Sequence, residues 1–432
     1  MTKTAIVGGG ICGLQLGAML ASDGDEVVVL EKLDHVGGRA FLWEKDGFVV
    51  DNGIHLIRFG PKSATARVFS HIGKKIDFVG MGKSFVAFPD GKIVDFPTSP
   101  VGFLTTGLMG VGERLKALGL MISLRSKDPE ELLDKSVAEW MEESGIKGGL
   151  RDYLHLVSAS MQVCPDIERS SAGEMLLNMK AVVEKGKSAM YPTKGWRYIY
   201  DTLESVIKSG GEIKTGSPVK SVIVESGKAV GVELASGDRL EADRVVINIP
   251  VQKMLDVLDK SLVPAEFSSL CENLKPTAGV SVDYLLKKKV SHTAGLWYLW
   301  EPMSFGLFTS NLCPDTAPSG KQLLTWFAPA DLEVMKDEAA ASALEEKLEA
   351  GIKKVFPGIE DAIEHRRVMK LRMVDGVEVN VDQHRKKRPG FTVPGVKGLF
   401  LGGDSLKGAG AGGDVGHESV LDCYEEMTGT RA

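Results

Sequence analysis

Apolar positions along this chain change their spacing several times, and each change predicts a different element. Residues 3–8 and 26–31 ("EVVVLE") are continuous apolar runs, which predict strands buried on both faces of a parallel sheet. Between them, residues 11–23 have helical spacing and stop near Gly24. Residues 47–51 and 83–96 read as antiparallel strands, the latter turned by "PDGK". From about 100 to 187 the spacing is helical, and "SVAEWMEESG" and "SSAGEMLLNMKAVVEKG" each start on serine and stop on glycine. A helix at 197–208 leads into "GGEIKTGSPVKSVIVESGKAVGVELASGDRLEADRVVINIP", whose alternation between turns predicts a strand meander. Strands at 278–286, 295–300, 304–310 and 321–328 follow, then a helix at about 337–355 and a strand at 362–373. The chain closes with an apolar strand, a glycine loop and a helix.

The two ends share a design. "AIVGGGICG" at 5–13 and "LFLGGDSLKGAGAGGDVGHESV" from Leu399 each set a glycine-dense turn after an apolar strand. Gly8 to Gly13 fit G-x-G-x-x-G between strand and helix. Gly8 makes the tight turn, Gly10 lets the backbone approach a pyrophosphate, and Gly13 lets helix and strand pack closely. The pyrophosphate is received by N–H groups at the positive end of the helix. Glu31 ends the next strand, eighteen residues beyond Gly13, where a carboxylate accepts ribose hydroxyls and repels a 2′-phosphate. The other glycine cluster, "GLMGVG" at 107–112, lies in the helical section, so a separate nicotinamide-nucleotide domain is not expected.

Composition narrows the partners. A chain of 432 residues forms two or three domain-sized cores. A net charge of −6 without long like-charge blocks argues against a nucleic-acid partner. The short basic runs "KKK" at 287–289 and "HRKKR" at 384–388 read as solvated loops. Five scattered cysteines imply free thiols in a reducing compartment and no metal site. A start without a basic leader implies a cytoplasmic protein. The apolar segment 101–124 is interrupted by Glu113, Arg114 and Lys116, so it reads as a core helix pair, or else as an amphipathic lip making peripheral membrane contact.

Glu31, then Gly37-Gly38-Arg39, then "VVDNGIHLI" at 49–57 resemble the FAD-binding opening of the flavin amine oxidase and phytoene desaturase superfamily. The meander, with Val219 early in it, and "VKGLFLGGD", ending in Gly403-Asp404, are similar to later elements of that family. The resemblance implies an α/β fold: a Rossmann-like FAD-binding domain (1–66, 188–262 and 391–432) with an inserted substrate domain. The latter comprises 67–187, helical over 100–187, and a mixed sheet within 263–390. It implies FAD held by Gly8, Gly10, Gly13, Glu31, Lys32, Gly38, Arg39, Gly53, Ile54, Val219, Gly403, Asp404, Gly413, Asp414 and Val415. In the family the closing helix points its N-terminus at the N1–C2=O edge of the flavin.

"MYPTKGWRYIYDTLESVIKSGGEI" looks desaturase-like, although Lys194 replaces an expected glycine. The loop "GAGAGGDVGHES" lacks the aromatic residue usual in amine oxidases. The branch implied is therefore the phytoene-desaturase-like FAD oxidoreductases: hydride transfer from an apolar isoprenoid-like or polycyclic substrate to flavin N5, with oxygen or a quinone as electron acceptor. Protoporphyrinogen-oxidase-like, amine-oxidase-like, double-bond reductase and isomerase activities stay open. The non-enzymatic alternative is a prenyl-binding carrier of the GDP-dissociation-inhibitor type, against which the glycines, Glu31, Arg39 and Asp404 argue. Asp414 departs from the desaturase pattern and reads as a helix N-cap, or with His417 as a proton-handling group. His55 reads either as a backbone-bonded structural residue or as a proton-transfer residue. Trp297, Tyr298, Trp300, Phe305, Phe308, Trp326 and Phe327 read as tunnel lining or as ordinary core.

Overall fold

A computed structural model describes residues 1–186 and 189–431. The boundary expected at 187–188 lies outside the described residues. Five parallel strands form one sheet in the order 399–401, 244–247, 3–7, 26–30 and 211–214. Ile6, Val27, Val29, Val245 and Val246 are fully buried, as continuous apolar runs require when both faces are covered. One face packs on the helices Ile11–Ser22, Gly195–Gly210 and Gly413–Thr428. The other packs on a three-stranded sheet and the helix Ala265–Asn273.

The predicted meander is shorter than expected. Only Val219–Glu225, Lys228–Leu234 and Arg239–Glu241 pair as antiparallel neighbours. The flanking Gly211–Lys214 and Arg244–Ile247 join the parallel sheet instead. "RVVI" is a continuous apolar run rather than an alternating one, and such a run belongs between two covered faces.

A second, seven-stranded mixed sheet runs in the order 363–371, 278–286, 322–330, 304–307, 297–299, 84–87 and 93–96. Alternation along its strands divides the aromatic residues between two cores. Tyr298, Phe305 and Phe327 meet the helices of the 100–185 section. Trp297, Phe308 and Trp326 face away and meet the helix Glu338–Val355. A tunnel lined by all of them is therefore excluded by the pleat.

The segment 101–124 forms the helices Pro100–Thr105 and Val111–Ser123. Phe103, Met109, Ala117 and Leu124 are buried, whereas Val101, Leu104, Val111, Leu115 and Ile122 are 51% to 72% exposed. The pair thus has a core face and an apolar outer face. Among the described residues no helix is long and apolar enough to cross a membrane.

"HRKKR" is not a solvated loop throughout. Arg388 is 1% exposed and bonds Glu174 at 2.7 Å, and Arg385 reaches the other oxygen of the same carboxylate at 2.8 Å. Glu174 is fully buried in the helix Ala172–Lys185. Burial pushes this carboxyl up, but Arg388 and Arg385 hold it below the usual range. The partner lies more than 200 residues away, so nothing local in the run marks two of its charges as internal. Removing one member of such a cluster leaves the others buried and unpaired. Glu174→Gln is expected to cost about 3–5 kcal/mol in denaturant unfolding, while Lys386→Ala, on the exposed Glu130 pair, leaves the midpoint nearly unchanged.

Candidate active site

The first helix starts at Gly10 with no side-chain cap and no acidic residue in its first turn. A Cβ on Gly13 would stand 2.3 Å from the Gly8 carbonyl oxygen, so only glycine permits this approach of helix to strand. Gly37 N–H donates to Gly9 C=O at 2.9 Å, which lays Gly38 against Gly10. Asn248 Nδ2 donates to Gly8 C=O at 3.0 Å and fixes the turn from the neighbouring strand. Sequence reasoning missed Asn248; its one signal is a polar residue ending an apolar run.

Glu31 is 5% exposed and is tied at both oxygens. Gly9 N–H donates to Oε2 at 2.8 Å and Leu33 N–H to Oε1 at 2.9 Å. Ser217 N–H donates to Glu31 C=O at 2.8 Å, which brings the start of the Val219 strand beside Glu31 and the exposed Lys32.

The expected meeting of the chain ends is present. Arg39 Nη2 donates to Asp404 Oδ1 at 2.6 Å, across 365 positions. Arg39 Nη1 also reaches Val374 C=O at 2.8 Å, and Gly376 N–H donates to Asp404 Oδ2 at 2.8 Å. Burial pushes the Asp404 carboxyl up, yet Arg39 and these donors hold it below the usual range.

The Gly53-Ile54-His55 loop is anchored from several sides. Asn52 Nδ2 donates to Arg39 C=O at 2.8 Å, and Arg367, paired with Asp283 at 2.7 Å, donates to Asn52 Oδ1 at 3.2 Å. His55 Nε2 lies 3.3 Å from Asn52 C=O, and Trp196 Nε1 donates to His55 C=O at 2.9 Å. A carbonyl only accepts, so Nε2 carries the proton and Nδ1 keeps its lone pair. The Trp196 ring meets His55 edge-on at 5.5 Å and stacks with His417 at 6.2 Å. Burial pushes both histidines down to about 4, so both are neutral at neutral pH.

The closing helix corrects one expectation. Its N-cap is Gly412, without a side-chain cap, and Gly413 opens the first turn. Asp414 lies inside that turn and pairs with Arg58 at 3.1 Å, so it is not the N-cap. A guanidinium beside an enclosed carboxylate outcompetes neutral N–H donors. Arg58 was not read from the sequence. Val415 is buried directly behind Asp414.

Two helix starts without side-chain caps, at Gly10 and Gly412, thus lie on the two chain segments that Arg39 and Asp404 join. Free N–H groups, side-chain-free glycines and one arginine make a donor set suited to a diphosphate, and the Glu31 carboxylate is an acceptor of the kind a ribose hydroxyl needs. These residues fit FAD. The parallel sheet and these glycine turns are those of a dinucleotide-binding fold.

The family profile described as "Flavin containing amine oxidoreductase" matches residues 11–416. The chain belongs to this family; it is a flavin-dependent oxidoreductase with FAD as cofactor, which removes the carrier reading. It is 22% identical over 465 aligned positions to 15-cis-phytoene desaturase of Synechococcus elongatus, covering 98% of this chain and 97% of that one. It is 25% identical over 324 positions to 4,4'-diapolycopene oxygenase of a Methylomonas species, covering 66% of this chain and 62% of that protein, less than two thirds of its length. An oxidoreductase from Methanosarcina mazei shares the fold with a TM-score of 0.83 at 21% identity, covering 98% of this chain and 99% of its own.

Asp51, at the base of the His55 loop, is 3% exposed and accepts a hydrogen bond from Tyr191. Burial pushes its carboxyl up to about 7. Between the ordinary carboxylate value and about 7, the folded chain holds a proton that the unfolded chain has released. This group's contribution therefore falls as pH rises through that window. Relative to wild type, Asp51→Asn is expected to gain on the order of 4 kcal/mol in unfolding free energy between about pH 4 and pH 8. Parallel stability curves would contradict it.

Proposed function

We propose that this enzyme dehydrogenates an apolar, isoprenoid-like or polycyclic substrate. The observation that carries this reading is an apolar rim. Ile54 and Leu296 pack against both the sheet-and-helix core beside the first helix and the core of the 100–185 helices. Met161 and Val374 extend that half-buried rim, and the Val374 carbonyl is the one that Arg39 binds. The loop 408–419 supplies no aromatic residue to cage an amine.

The FAD-binding unit comprises 1–66, 188–262 and 391–432, and the remainder shapes the substrate chamber. Gly8, Gly10, Gly13, Gly38 and Arg39 receive the diphosphate, and Glu31, Lys32 and Val219 receive the adenosine. Gly403 and Asp404 hold the ribityl side, while Gly53, Ile54 and the turn Gly413-Asp414-Val415 face the ring. Bound FAD supplies the two-electron acceptor that takes hydride at N5. The chain aligns the substrate and excludes water. His55 is the residue placed to take up a proton, at Nδ1, because Nε2 is committed to Asn52. Electrons then leave to oxygen or a quinone. The exposed apolar face of the helices at 100–124 belongs to the same lobe as the rim and is read as the surface that meets a lipid phase.

Anaerobic mixing with a phytoene-like polyene, a protoporphyrinogen and a diamine tests the reading through bleaching of the flavin's visible band. Bleaching by the polyene is expected; bleaching by amines alone overturns it. Glu31→Gln is expected to weaken FAD retention on dialysis roughly 10- to 100-fold, and full occupancy would contradict the ribose contact.

A further inference from the structure

Position 414 poses an electrostatic problem. A helix start favours negative charge nearby because its N–H groups face outward, and a carboxylate in the first turn cancels that field. Asp414 occupies this turn. Its Oδ2 lies 3.1 Å from Arg58 Nη1 and is sealed from solvent.

Arg58 itself is buried and held rigidly. Nη1 donates to Asn178 Oδ1 at 2.6 Å and Nη2 to Asn178 C=O at 3.3 Å, while the guanidinium lies 4.9 Å from the centre of the Phe59 ring. Asn178 Nδ2 in turn donates to Glu174 C=O at 2.9 Å. The cation at the closing helix is thus aimed by the Ala172–Lys185 helix of the other lobe. Other charges face the same turn. Glu418 lies 3.9 Å from both Lys185 and Arg67, and Asp375 Oδ2 approaches Gly412. Arg58 is the cation in direct contact with Asp414.

We propose that Arg58 neutralises Asp414 and so preserves the positive field of the closing helix start, which makes Arg58 a positioning residue that raises the reduction potential of the flavin. The proposal rests on the reading above that places the ring against this helix. Reduced flavin carries added negative charge, so an unbalanced carboxylate at this turn disfavours it, whereas Arg58 cancels the opposition in a low-dielectric setting.

Burial pushes the Asp414 carboxyl up to about 6 even beside Arg58, so reductive titration against a reference dye well above that value, at about pH 9, tests this on the FAD-loaded protein with Arg58→Met, Asp414→Asn and the double variant. Melting temperature and flavin content are measured alongside. Arg58→Met is expected to lose about tenfold in preference for reduced over oxidised flavin, read as a downward shift of about 30 mV. Asp414→Asn, which leaves Arg58 unopposed, should not fall below wild type, and the double variant, which removes both charges, should return to near the wild-type value. A shift in Asp414→Asn without one in Arg58→Met overturns the role of Arg58 while leaving the ring placement standing. Unshifted potentials in both single variants overturn the placement. If Arg58→Met does not retain flavin, Arg58→Lys, which keeps the charge, is expected to hold the wild-type potential; a tenfold loss there overturns the proposal.

Discussion

The contact between Arg39 and Asp404 is the constraint on which the site depends. It joins the glycine turn after the second strand to the glycine turn after the last strand, 365 positions apart, at 2.6 Å. Three covalently distant segments contribute strands to one parallel sheet, and strand pairing alone fixes only their order. The ion pair, with its links to Val374 C=O and Gly376 N–H, sets how closely the loops at the strand ends approach each other. Arg39 is exposed and Asp404 half-buried, so geometry and hydrogen bonding must repay the desolvation of the carboxylate above all. The consequence is a fixed approach between the segments that carry two helix starts without a side-chain cap.

A second chain of contacts couples Arg39 to the mixed sheet. Asp283, fully buried on its strand, holds Arg367; Arg367 reaches Asn52; and Asn52 binds the Arg39 carbonyl. The mixed sheet is thus wired to the same arginine that grips Asp404. A displacement of the 363–371 strand would be felt at the Gly53–His55 loop through hydrogen bonds rather than through loose packing. The arrangement resembles a keystone, in which one polar side chain at a time crosses from element to element.

Much of this was legible in the sequence because it is local. The continuous apolar strands, the glycine spacing and the placement of Glu31 follow from periodicity and backbone sterics acting over a few residues. Arg39 and Asp404 were legible through resemblance, since nothing in their spacing tells that they meet. What escaped is long-range pairing. Glu174 with Arg388, Arg58 with Asp414, and Asn248 with the Gly8 turn leave no periodic trace. Asp414 was read as a cap because acidic residues near helix starts usually serve that end. The unseen arginine reversed that reading. The meander was overextended for a related reason: alternation in its middle hid the continuous run at its end.

The distribution of charge around Arg39 and Asp404 also argues for what the protein contributes chemically. Asp404 and Asp414 each have a guanidinium, and Asp375 is held by Thr277 at 3.0 Å. The two histidines nearest Trp196 are kept neutral by burial. A site built to hold a cationic amine needs a cation cage or an uncommitted carboxylate, and these acids are already engaged by the protein. Internal charges here are balanced against one another within the protein, and the electron chemistry is left to FAD, the cofactor of this family.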